Sequence, residues 1–600
     1  MNKKTLGVTF ALGAVMALTA CGGPSGQKQP ISLEEIEKAH PSIIKNEGNP
    51  VDDAVLKVAV ITDNGFKGMF QPFFSENTDD GVFMQHTMGG AFWSDEGLKI
   101  LMDSDEAPIN VHLDKDEMTL TYKINPKFKW NDGSVVSTDD IIKTYEICAN
   151  PKFIEATQSA RYSPSKMNII KGMAEYAAGE ADHISGLEKI SDSEMKIHFS
   201  EINPGVLYGG STIGEFVQAK SIEGVPMDQL MECDAWRNNP PSYGPYYMSD
   251  ITMGENVTFT ANPYYLRGEP KVKTLEFQCV SGTQQMADME AGKHDIYLSP
   301  KKEAFSQMAE LPNVKIASRP ARSLNYLGFK CGHWDAENGC VVTDPKAKMN
   351  NVNLKKAMRM ALDMDTVGLK YSEGLSFSAN SPLSPATPKY HDPNIKGIQY
   401  NPEEAKKLLD EAGYKDIDGD GFRETPDKQP LSINFAVTNS DSDSADLAQY
   451  YIQNWEAIGL KVNMLDGRPL DFNTIIERLT NDDPDIDIFT MGWSLGSDPD
   501  QINLWGKYTI FNDGRFTTPE LQDALEACGS VEAMDETYEI QAYHNFEKIF
   551  YEQVPGAPLN HTVEILPVNN RVKYYDFSYY SPDYWDWSML ELTAEKPIAK

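Results

Sequence analysis

The segment Asp485–Trp505, DIDIFTMGWSLGSDPDQINLW, carries the residues whose spacing most resembles a reactive site. Gly492-Trp493-Ser494-Leu495-Gly496 fits G-x-S-x-G, the spacing of a nucleophile elbow, in which a strained strand-to-helix turn presents a serine to a histidine base. An apolar strand precedes Ser494, and His544 and His561 follow it, so a secreted serine hydrolase is one reading. Asp498-Pro499-Asp500 opposes it, because this run favours a turn where the helix of the elbow should continue. The expectation is that the chain is not an enzyme. Asp416, Asp418, Asp420, Gly421, Glu424 and Asp427 fall on positions one, three, five, six, nine and twelve of a calcium loop. Aspartate in place of the bidentate glutamate at position twelve weakens that reading, and a plain turn between helix and strand competes with it. Calcium is the one cofactor these residues suggest. No H-E-x-x-H, close histidine pair or C-x-x-C occurs, which argues against a transition-metal or redox centre. Cys331 and Cys340 are the nearest cysteines, as a disulfide or as buried thiols. The aromatic run Tyr574–Trp587 suits a ligand stripe, although core packing is the stronger expectation.

The elements that position these residues begin with an export signal. Lys3 and Lys4 precede an apolar run, Leu6–Leu18, which as a helix would rise about 20 Å, short of the roughly 30 Å hydrocarbon core. With Leu18-Thr19-Ala20-Cys21 behind it, the segment resembles a bacterial lipoprotein signal. That resemblance implies removal of residues 1–20, diacylation of Cys21, and anchorage at the extracytoplasmic face of the cell membrane. Residues 21–54 are polar and rich in Gly, Pro, Gln and Glu, and read as a tether with one short helix near Ser32–Ala39.

A chain of 600 residues is too long for one small module. Its 89 acidic against 54 basic residues, a net charge of -35, exclude nucleic acid as a natural partner. A field of that sign should favour encounter with cationic ligands. From Leu56 the run LKVAVI reads as a buried strand, and MTLTYKI, a KWNDGSVV turn and a helix opening at Ser137 or Thr138 form one further unit. SEMKIHFS, ENVTFTAN and TLEFQCV are additional strands. Beyond about Pro320, strands SLNYLGFK, LSINFAVT, LKVNMLD and DIDIFTMGW alternate with helices, which argues for an α/β unit with a largely parallel sheet.

Five blocks then occur in order: YKINPKFKWNDGSVVSTDDIIKTYE (Tyr122–Glu146), SYGPYYMSDITMGENVTFTANPYYLRGEP (Ser242–Pro270), NLKKAMRMALDMD, EEAKKLLDEAGY and IQNWEAIGLKV. Together they resemble the solute-binding proteins of bacterial peptide ABC importers, extracellular family 5. The resemblance implies a two-lobed α/β protein of the periplasmic-binding type II fold, with an inserted subdomain in the first lobe. Its expected divisions are lobe 1 over 55–76, the subdomain over 77–185, lobe 1 again over 186–318, lobe 2 over 319–550, and a return to lobe 1 over 551–600. It further implies a monomer that closes on an oligopeptide and delivers it to an ABC permease. A peptide-sensing receptor, or capture of a sugar or metal chelate, are its alternatives. Trp493 sits where the family places a cleft tryptophan, and Phe66, Trp93, Asn325 and Tyr326 where it lines its cleft. The family's carboxylate-binding Arg and amine-binding Asp are replaced by Thr490 and Gly496, leaving Asp498 and Asp500 for an amine role.

Overall fold

The computed structural model describes residues 32–75, 77–157, 161–439 and 443–600. The lipoprotein-type signal and Cys21 lie outside the described residues. Among these, one mixed sheet of 12 strands runs through both lobes. Its spatial order is Lys461–Met464, Ser432–Ala436, Ile488–Ser494, Ser323–Phe329, Gly556–Asn569, Ile296–Leu298, Leu56–Ile61, Thr274–Val280, Asn256–Ala261 and Tyr246–Thr252. Val314–Pro320 and Ser376–Ser378 also pair with Gly556–Asn569.

That 14-residue strand joins the lobes. Its early residues pair with Ser323–Phe329 in lobe 2, and its later ones with Val314–Pro320 in lobe 1. The two partner strands are one chain broken at Ala321 and Arg322, and the Ala321 N–H donates to the Thr562 carbonyl across the break at 2.8 Å. The hydrophobic cores separate at the same place: Leu559 packs in the lobe 2 core, whereas Val563 and Leu566 pack in lobe 1. The lobes therefore exchange cores near residues 321 and 561 rather than at the expected 319 and 551. A continuous strand carries no local mark of where its neighbours change.

Local sequence accounts for the elements themselves. LKVAVI is buried along nearly its whole length because it lies between two parallel neighbours with cover on both faces. The helix Thr138–Ala149 opens on a capping box in which Ser137 and Asp140 satisfy each other's backbone N–H groups. Asp140 also accepts from the Trp130 indole at 3.2 Å and the Ala219 N–H at 2.8 Å, tying the KWNDGSVV turn to the helix.

Three expectations are corrected. The tether to residue 54 is shorter: Leu33–Ala39 is a helix capped by Ser32, Ile43–Lys45 pairs with Tyr574–Asp576, and Ile36 and Ile44 are buried. The helix falls where the sequence placed one; polar composition hid the strand and the packing of both segments. The inserted unit exceeds 77–185, because Leu187–Ser191 and Glu194–His198 complete its four-stranded sheet with Ile109–Asp114 and Thr119–Ile124, and its core runs from Met69 to Tyr243. A strand's own residues do not say which sheet it joins. The lobe 2 sheet is mixed: Ser432–Ala436 pairs in parallel with both neighbours, but Ile488–Ser494, Ser323–Phe329 and Gly556–Asn569 pair antiparallel. The crossing strand returns from a long helix, Glu536–Gln553, and enters the sheet in the opposite sense.

Candidate functional site

The strand Ile488–Ser494 is flanked along its whole length by Ser323–Phe329 on one side. On the other, Phe435 and Ala436 cover only Ile488 and Phe489. Among the described residues, no strand pairs with the rest of that side, the free edge. The Leu495 N–H donates to the Arg322 carbonyl at 2.9 Å, which fixes the phase of the antiparallel ladder. Leu495, Trp493 and Met491 exchange bonds with their partners, so the main-chain groups of Gly492 and Ser494 point to the open side. Both residues are exposed. An exposed row of unpaired N–H and C=O groups is a template for an extended chain.

Trp493 lies half-buried on this edge, packed on the lobe 2 core with its ring 5.6 Å from that of Phe511. Asn325 stands opposite Gly492, and a Cβ on that glycine would come within 3.0 Å of its amide oxygen. The absence of a side chain keeps the edge open there.

Two of the expected contacts are core residues. Tyr326 is 1% exposed and packs edge-on against Trp505 and Phe489, because it alternates with Asn325 and points to the opposite face. Phe66 is 4% exposed and packs between Phe70 and Phe83. Trp93 is half-buried and stacks on Tyr584 at 4.5 Å, on the lobe 1 side.

Asp498 and Asp500 are not on the free edge. They line an enclosed cavity of about 260 Å³ between lobe 2 and the inserted subdomain, with Lys166, Asn203 and Glu526. Asp498 accepts from the Asp500 N–H at 3.0 Å and Asp500 from the Ile502 N–H at 2.9 Å, so they build the turn as well. Burial pushes both carboxyls up, Asp500 to about 7 with the Asp498 charge adding to it, while Lys166 pulls the other way.

Residues that carried no local signal connect the subdomain to lobe 2. Lys99 donates at 2.8 Å to Glu539, a fully buried carboxylate on the helix Glu536–Gln553 and 440 positions away in sequence. Tyr208 donates to the same carboxylate at 3.0 Å and also meets the Tyr390 hydroxyl. At the break between lobes, Arg322 stacks on Tyr579 at 4.4 Å and donates to the Ser497 hydroxyl at 2.8 Å.

The elbow is not assembled. Among the described residues no imidazole hydrogen-bonds Ser494, and irregular chain, rather than a helix, follows it as far as Gln501. His561 is buried beside Phe377, and burial pushes its imidazole down to about 4. In the acidic loop Asp416, Asp418 and Asp420 place carboxylate oxygens within 4.8 Å of one another. Asp416 accepts from the N–H groups of Gly419 and Gly421, Asp418 from Asp420, Asp420 from Phe422, and Glu424 from Ile417. Asp427 stands outside that group, so the residue at position twelve does not join the three clustered carboxylates. Cys331 and Cys340 are both buried free thiols. The aromatic run lines one cavity along much of its length, with Tyr575, Phe577 and Trp587 buried in the core beneath it and Tyr579, Tyr580 and Tyr584 less buried.

A mixed sheet shared by two lobes, with a strand edge left open among the described residues, is a geometry that can hold an extended chain. Residues 108–514 match the bacterial extracellular solute-binding proteins, family 5, and the chain belongs to that family. It is 29% identical to the oligopeptide-binding protein OppA of Lactococcus lactis subsp. cremoris (strain SK11), over 100% of this chain and 99% of that one. It is 24% identical to heme-binding protein A of Haemophilus influenzae, over 68% of this chain and 70% of that one. Among solved structures it resembles lactococcal OppA complexed with an endogenous peptide in the closed conformation, with a TM-score of 0.74, 28% identity, and coverage of 90% of this chain and 100% of that one.

Proposed function

We propose that this chain is a lipid-anchored, extracytoplasmic and monomeric solute-binding protein that captures oligopeptides between two closing lobes and delivers them to an ABC importer. The observation that carries the reading is the free edge at Gly492 and Ser494. Only a ligand with a regularly spaced amide backbone uses both outward groups of alternate residues, which favours a peptide over a sugar, a heme or a metal chelate. Side chains of such a ligand meet pockets while its backbone supplies affinity, so breadth of sequence follows. The similarity to oligopeptide-binding relatives over the full length supports the same substrate class. Closure is favoured by the Lys99, Tyr208 and Glu539 contacts, which bring the inserted subdomain against lobe 2. Anchorage rests on the sequence around Cys21.

Native mass spectrometry of the freshly purified protein should find co-purified peptides. A sugar-sized or chelate mass instead overturns the assignment. Ser494→Pro removes one outward N–H without touching the ladder, and should weaken peptide binding about tenfold, the worth of one hydrogen bond. Ser494→Ala should leave binding unchanged; equal effects of the two variants would remove the edge from the site, and loss of a hydrolytic turnover in the alanine variant would restore the serine hydrolase. Import is distinguished from sensing by peptide uptake, which a permease-deleted strain should lack.

A further inference from the structure

The cavity of about 260 Å³ that holds Asp498 and Asp500 is closed by two bodies. From the inserted subdomain come Lys166 and part of the stretch Asn203–Ser211, tied together where the Ser211 hydroxyl donates to the Lys166 carbonyl at 2.7 Å. From lobe 2 come the turn Asp498–Ile502 and the end of the helix Pro519–Cys528. The approach is close: a Cβ on Gly205 would lie 3.6 Å from Asp498 Oδ2, so the subdomain backbone covers that carboxylate. Cys528 lines the cavity and feels the charges of Asp498, Asp500 and Glu539. The space therefore lies beside the Lys99 and Tyr208 contacts to Glu539 that hold the subdomain on lobe 2.

The charge in this space does not balance. Asp498 and Asp500 flank Pro499 on one turn, and Glu526 joins them from the helix. The wall's basic residue is Lys166, across from them on the subdomain. Among the described residues neither aspartate has a basic nitrogen within 4.0 Å. The other groups that face the pair do not relieve it. Glu526 is exposed and accepts from the Gln522 amide at 2.7 Å, so it stays in water. Glu539 is matched by Lys99, and burial keeps the Cys528 thiol and the Tyr208 and Tyr543 hydroxyls protonated. What remains is a pair of like charges under the cover of another unit, with no counter-ion in contact. Such a pair resists double ionisation, in keeping with the upward push on both carboxyls. When the subdomain moves off lobe 2, the cover at Gly205 is lost, water reaches both groups, and they return towards the ordinary carboxyl value of 3.8. The closed arrangement holds a proton that the open one releases.

Resting on the reading that the lobes close on a peptide, we propose that the Asp498–Asp500 cavity is a proton-uptake site through which pH sets how tightly the subdomain holds to lobe 2. The sign follows from linkage. A group that binds its proton more tightly in the closed state stabilises closure at low pH, and that contribution is lost as pH rises through the closed-state value. The window runs from about pH 4 to about pH 7, so acid tightens the grip on the ligand. Water in the cavity moderates the effect to about one proton's worth over a single pH unit.

The protein should be titrated with hexapeptides of Ala, Ser and Phe, acetylated and amidated so that the probe has no titrating group. Binding should be about tenfold tighter at pH 5 than at pH 8. Calorimetry at pH 6 in two buffers of different ionisation heat should show uptake of about half to one proton per peptide bound. In the double variant Asp498→Asn/Asp500→Asn the affinity ratio should collapse towards one and the proton uptake should vanish, with the thermal transition checking the fold. A wild-type protein that binds with neither pH dependence nor proton uptake overturns the site. So does tighter binding at pH 8, which would make the pair an ionised partner for Lys166, and so does a dependence that persists in the folded double variant. Failure of every hexapeptide, capped or free, to bind at either pH overturns the peptide reading itself.

Discussion

Asp500 illustrates how much a single side chain depends on its surroundings. Its ordinary carboxyl value of 3.8 rises to about 7 through burial, and Asp498 rises with it. An acid whose folded value lies above its unfolded one binds protons more tightly when native, so stability falls as pH rises from about 4 through 7. The pair thus costs stability above pH 7 and nothing below about pH 4. Asp500→Asn is expected to stabilise the protein by about 1–2 kcal/mol at pH 8, after allowance for solvent reaching a half-buried group, and to change little at pH 4. Thermal melts across that range check the sign; a variant gain that grows at low pH refutes it. The acidic loop makes the opposite point. Asp427 lies apart from the three clustered carboxylates, so without a bidentate twelfth ligand the melting transition should be indifferent to added calcium or to EDTA. Side-chain direction was the hardest residue-scale feature to read in advance. Asn325 and Tyr326 are equally plausible as contacts from sequence, yet the pleat sends one towards the edge and the other into the core.

Elements were more legible than their partners. The apolar runs at Leu56, Ser432 and Ile488 each form the strand their composition requires, and the Ser137 cap starts the helix where the box of Ser and Asp indicates. Pairing was not legible, because the strands Leu187–Ser191 and Glu194–His198 have the same alternation whichever sheet they complete. The helix Glu536–Gln553 shows the functional side of this. It buries Glu539, and the compensating Lys99 comes from a different unit of the fold. Removing one partner of a buried pair leaves an uncompensated charge that costs about 3–5 kcal/mol. Lys99→Met should therefore favour separation of the subdomain from lobe 2, where water reaches Glu539. The expected outcome is ligand release at least tenfold faster by stopped-flow, with the association rate nearly unaffected; unchanged release would assign Lys99 to folding alone.

At the scale of the whole molecule, the lobes share a sheet and are joined through a strand that belongs to both. Ala321 and Arg322 interrupt one crossing strand, while Gly556–Asn569 runs through. The lobes meet at this seam, where one of the two strands is broken and the other is continuous. The net charge of -35 acts at the same scale. It should raise association rates for cationic peptides over matched acidic ones at low ionic strength, an advantage that disappears when the Debye length shrinks to about 3 Å at 1 M salt. Equal rates at low salt would leave the charge as a solubility feature.

The sequence by itself determined the class: a segment that resembles a lipoprotein export signal, an acidic composition, and five ordered blocks that point to one family. These are local or compositional properties, and every residue contributes to them without reference to distant ones. The tertiary structure alone decided where the singled-out residues lie. Ser494 ends a strand that is followed by irregular chain, Asp498 and Asp500 belong to a separate pocket, and the aromatic C-terminus both packs in a core and lines a cavity. The physical reason is that a free edge, a buried ion pair and a cavity wall are each defined by what lies across space, and their partners here come from segments hundreds of residues apart.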